Sequence, residues 1–89
     1  MKNKNEVFSL PRFFADFPLG LITPRRLERL VIRSFNKNLE MMPYGVGPRD
    51  IIDDGLRLDW IKKTITGPTR YYLSDGMVRR VRVFLKLAA

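Results

Sequence analysis

The chain has 89 residues, too few for more than one domain, and 45% of them are hydrophobic, enough for a folded core. It carries 17 Lys and Arg against 9 Asp and Glu, a net charge of +8, which suits a polyanionic partner. It has no cysteine and no histidine, which excludes disulfides, Cys/His zinc sites, thiol nucleophiles and His general bases.

Met1 to Glu6 reads as a polar tail and not as a signal peptide. No apolar run reaches membrane-spanning length, so no membrane span is expected, and the missing cysteine fits a cytoplasmic setting. Val7 to Ile22 is dense in apolar residues, with Phe8, Phe13, Phe14 and Phe17 in a stretch broken by Pro11 and Pro18. Two readings compete. The favoured one is an arm that covers the domain's own core, because small domains need all their apolar groups. The other is a hook for a protein partner, built on Phe8, Phe13, Phe14 and Phe17.

Thr23-Pro24 is a helix start: Thr caps free amides, and Pro loses nothing at the first helical position. Leu27, Leu30, Val31 and Phe35 then repeat as one face of a helix from 24 to about 40. Arg25, Arg26, Arg29, Arg33 and Lys37 crowd its remaining surface. Pro43 to Pro48 is a loop by its Gly and Pro content. Pro48 opens a further helix anchored by Ile51 and Ile52, with Asp54-Gly55 as its turn. Leu56, Leu58, Trp60, Ile61 and Ile65 suggest a second short helix over 57–65. Helix, glycine turn, helix is the order of a helix-turn-helix, and it would leave Arg57, Lys62, Lys63 and Thr64 facing a nucleic-acid groove.

Thr69 to Leu73 reads as a strand. Residues 77–87 stay open: Val81, Val83, Leu85 and Leu87 alternate as in a strand, yet Met77, Val78, Val81, Phe84 and Leu85 share a helical face, and Ser74 suits a helix cap. Between Trp60 and Ala89 stand seven Lys or Arg and one acid, Asp75. Arg70, Arg79, Arg80 and Arg82 are the candidate phosphate clamps there, with Arg25 and Arg26 adding to them.

Asp50, Asp53 and Asp54 share one helical face, but the spacing is common on solvated helix starts and no activating group accompanies it. Gly45-Val46-Gly47 lacks the Lys-Ser/Thr of a phosphate loop. No catalytic residue, metal site or cofactor is therefore expected, and the protein is read as non-enzymatic.

The segment Arg70-Tyr71-Tyr72-Leu73-Ser74-Asp75-Gly76, followed by a basic amphipathic stretch, resembles the wing strand and following helix of winged helix-turn-helix regulators of the PadR and MarR type. The resemblance covers about twenty residues well and 48–65 loosely. It implies a small α+β, mostly helical, winged-helix-like domain over 23–89, preceded by the tail and arm of 1–22. It further implies a regulator of transcription, often homodimeric, binding DNA in preference to RNA. The alternative is an interaction subunit of a larger protein or ribonucleoprotein assembly, docked through its Phe-rich arm. A third reading lays residues 77–89 on an anionic membrane surface.

Overall fold

The computed structural model describes residues 8–88, and Met1 to Glu6 therefore lies outside the described residues. The fold is a small α+β domain, mostly helical, with one two-stranded antiparallel hairpin. In chain order the elements are α1 (Leu10–Phe13), α2 (Pro24–Lys37), a 3-10 turn (Leu39–Met41), α3 (Pro48–Arg57), β1 (Ile61–Lys63), β2 (Tyr71–Leu73) and α4 (Asp75–Ala88).

The apolar segment before α2 is core. Phe13, Phe14 and Phe17 are buried, and their rings meet edge to face with centroids 5.1 Å (Phe13–Phe14) and 4.9 Å (Phe14–Phe17) apart. Phe14 also lies against Trp60. This corrects the docking-hook reading: Phe13, Phe14 and Phe17 already fill the chain's own interior, and Phe8 packs partly buried against it. A buried polar knot fixes the segment to α2. The Ser34 hydroxyl donates to the Phe13 carbonyl at 2.6 Å, and the Asn38 amide donates to the Ser34 carbonyl and hydroxyl at 2.9 and 3.2 Å. Outside, Lys37 pairs with Asp16 and Arg12 with Glu40. The segment and the remainder form one packed unit, so 22/23 is no structural boundary.

α2 starts where its sequence says. The Thr23 hydroxyl accepts from the Arg26 amide at 3.2 Å, and Pro24 occupies the first turn. Leu27 and Val31 are buried, Leu30 and Phe35 partly so. The helix ends at Lys37, three residues short of expectation, because Asn38 turns its side chain back onto Ser34 and a 3-10 turn follows.

α3 differs most from the sequence reading. It runs through Gly55 to Arg57, and no helix covers 57–65. The turn falls at Asp59, which takes the left-handed conformation with φ 61°. The Trp60 amide then reaches back to the Gly55 carbonyl at 2.8 Å, the six-to-one bond of a Schellman end. Gly55 serves another purpose. A Cβ there would stand 2.8 Å from Cδ1 of Ile61, so the missing side chain lets β1 lie against α3.

β1 and β2 pair Ile61 with Leu73, Lys62 with Tyr72 and Lys63 with Tyr71. Ile61 and Leu73 face the core together. A single bridge adds Ile22 on the other edge of β2, giving the row Ile22, Tyr71, Lys63. Residues 77–87 resolve as helix. The Ser74 hydroxyl caps α4 by accepting from the Met77 amide at 3.2 Å. α4 buries Met77 and Val81 and packs on α1.

Candidate nucleic-acid interface

The chain's own carboxylates sort its cations into two groups. Arg12, Lys37, Arg49, Arg57 and Lys62 each pair with an acid. Among the described residues, Arg25, Arg26, Arg29, Arg33, Lys63, Arg70, Arg79, Arg80, Arg82 and Lys86 form no ion pair. Three of the five paired cations lie on or just beyond α3: Arg49 with Asp53, Arg57 with Asp54 at 3.0 Å, and Lys62 with Asp59 at 3.4 Å. Asp50 is occupied as well, accepting from the Gly47 amide at 2.8 Å. Asp50, Asp53 and Asp54 are thus a helix-start cap and two local ion pairs.

The expected groove helix over 57–65 is absent, and its residues are dispersed. Arg57 ends α3, while Lys62 and Lys63 sit on successive positions of β1. Successive strand residues point to opposite faces, so these two lysines do not act as one helical pair. Thr64 is a structural residue. Its hydroxyl accepts from the Arg70 amide at 3.0 Å and donates to the Pro68 carbonyl at 3.3 Å. With the Thr64 amide on the Arg70 carbonyl at 2.9 Å, it closes the hairpin loop.

The row across the sheet brings separated cations to one end of the molecule. Neighbouring strands lie about 4.8 Å apart, so Ile22 and Lys63 stand roughly 10 Å from each other across Tyr71. Arg70 precedes Tyr71, and α2 begins directly after Ile22 with Arg25 and Arg26 in its first turn. The backbone segments that carry Arg25 and Arg26, Lys63, and Arg70 therefore meet at one end of the sheet, with Lys63 and Arg70 on opposite faces of it.

From that end a basic row continues along α2. Thr23, Arg25, Arg26, Arg29, Leu30 and Arg33 line an open concavity of about 390 Å³. Arg25, Arg29 and Arg33 recur every four residues, a rise of about 6 Å per step. Like charges at this spacing repel by a few tenths of a kcal/mol per pair, and an external anion relieves that cost. The four-residue spacing of Arg29 and Arg33 was visible in the sequence, where both read only as the solvated side of a helix.

Arg79, Arg80 and Arg82 are exposed on α4. Arg79, Arg82 and Lys86 recur on the side away from Met77 and Val81, forming a second basic stripe on a separate element.

No family model matches the chain, and neither a curated protein nor a solved structure matches it. Among the described residues no helix is long and apolar enough to cross a membrane.

Proposed function

We propose that this chain is a small non-enzymatic nucleic-acid-binding protein of winged-helix type, a cytoplasmic regulator that prefers DNA. In this reading α2 and α3 are the helix pair, Ile22, β2 and β1 the small sheet, and residues 64–70 the wing. The order of elements supports it: helix, bridging residue, two helices, then a hairpin whose second strand lies between the bridge and the first. The observation that carries it is the row of Arg25, Arg26, Arg29 and Arg33 along one open concavity of α2, none with a carboxylate partner among the described residues, which starts beside the Ile22–Tyr71 bridge.

Cations without internal partners are the ones that displace counterions from a phosphate backbone. α3 contributes little net charge, because Arg49 and Arg57 already bind its aspartates. Affinity then comes from the flanking α2 row and the hairpin, with α3 supplying shape. The test is a titration of the full chain onto duplex DNA and matched RNA at several salt concentrations. Log affinity should fall linearly with log salt and favour the DNA. A salt-independent affinity, or no binding at low salt, removes the reading.

A specific observation also favours self-association. Met77, Val81 and Leu85 share one face of α4, yet the first two are buried and Leu85 is 47% exposed. Val83 and Leu87 are exposed too, on nearly the opposite side of the helix. The distal half of α4 thus outruns the core and offers a second copy an apolar surface. Light scattering across a concentration series tests the homodimer, and Leu85→Glu should hold the chain as a monomer.

A further inference from the structure

The wing loop exposes an apolar side chain that the domain does not use. Ile65 is 99% exposed, so it contributes nothing to the core. The base of its loop is closed by hydrogen bonds. Thr64 and Arg70 close it through the Thr64 amide and hydroxyl, the same hydroxyl reaches the Pro68 carbonyl, Gly67 takes φ 73°, and Pro68 restricts the return. A β-branched side chain on such a loop has few rotamers left to lose. Lys63 precedes it and Arg70 follows it, both without an acidic partner among the described residues.

We propose that Ile65 is an apolar wedge that enters the minor groove of a bound duplex and partly unstacks one base step. The proposal rests on the nucleic-acid reading above and extends it to a particular contact. Cations on both sides of the loop would hold the two backbones while the sec-butyl group leaves water between base edges. Proteins that bend DNA through the minor groove combine the same two elements, basic side chains and a single apolar wedge. Pyrimidine–purine steps, which unstack most readily, are the expected point of entry. A lipid surface is the poorer fit. Interfacial binding scales with apolar area, and Ile65 is flanked by Thr66, Gly67 and Thr69.

The test uses the full chain and TA-rich duplexes carrying 2-aminopurine at successive steps, with dyes on the duplex ends. The parent should raise 2-aminopurine fluorescence at one or more steps and shorten the end-to-end distance. Ile65→Ala should still bind, within about tenfold of the parent and with the same salt slope, but lose both signals. Ile65→Leu should restore them. A parent that binds without a fluorescence rise, or Ile65→Ala with the rise intact, overturns the wedge while leaving nucleic-acid binding in place. A parent that binds no duplex at low salt removes the underlying reading and the wedge together. Ile65-dependent binding to phosphatidylserine vesicles, with no duplex binding, would reassign the loop to lipid and overturn the proposal.

Discussion

Ile22 and Tyr71 exchange both of their backbone hydrogen bonds, at 2.7 and 2.8 Å, across 49 positions of sequence. This one bridge seats the start of α2 beside the base of the hairpin. It brings the backbone that carries Arg25 and Arg26 to the hairpin that carries Lys63 and Arg70, although no sequence window holds them all.

The bridge gives an electrostatic prediction. Replacing Lys63, Arg70, Arg25 or Arg26 singly by Ala should lower the magnitude of the salt slope of duplex binding by about 0.9 for each phosphate that is no longer neutralised. Arg57→Ala should leave the slope unchanged, because Asp54 already holds that guanidinium. Fluorescence anisotropy at four or more salt concentrations measures both. Equal effects at Arg57 and Lys63 would contradict the division into paired and free cations.

Asp59 holds a left-handed backbone conformation that glycine adopts without cost. Asp59→Gly should stabilise the domain by about 1 kcal/mol, since its exposed contact with Lys62 is worth little. It should also tighten duplex binding by releasing Lys62. Urea denaturation reads the first effect and anisotropy the second. A loss of stability would mean that the carboxylate does more at this turn than pair with Lys62.

Gly55 and Ile61 should be energetically coupled. Gly55→Ala gains helix propensity of about 1 kcal/mol but drives Cβ into the Ile61 side chain, with Cδ1 at 2.8 Å and Cγ1 at 3.1 Å. Ile61 is buried and cannot swing into solvent, so overpacking of roughly 1–3 kcal/mol should win. Ile61→Val removes Cδ1, and the double variant should be more stable than the sum of the single effects predicts. Additive costs in a urea double-mutant cycle would place the strain elsewhere.

Ser34→Ala should destabilise by about 1–3 kcal/mol, because the Phe13 carbonyl loses its buried donor. The variant should also loosen α1 first, read as faster hydrogen exchange at Phe13 and Phe14. An unchanged urea midpoint would mean that water or Asn38 replaces the hydroxyl.

Local signals in the sequence carried the helix starts. Thr23-Pro24 announced α2 because capping depends on a residue and its next three neighbours, whereas Ser74 only kept a helix open for 77–87 against the strand alternation. Tyr71 to Leu73 was likewise readable as a strand. The error over 57–65 has a tertiary cause. Gly55 looks like a turn residue from its flexibility, yet it is glycine because Ile61 must approach α3 closely. The chain reverses four residues later at Asp59, which carries no comparable signal. For the basic site, residue types were visible, but which cations were free depended on pairings such as Arg57 with Asp54. The Ile22 bridge, which brings α2 to the hairpin, joins residues whose separation no periodicity reveals.

The packing of α1 on α4 has a bearing on synthesis. A nascent polypeptide emerging from the ribosome would present Phe13, Phe14 and Phe17 long before Met77 and Val81 arrive to cover them. Cooperative closure must therefore wait until α4 has been released, and fragments ending before α4 should be chaperone clients and not stable intermediates.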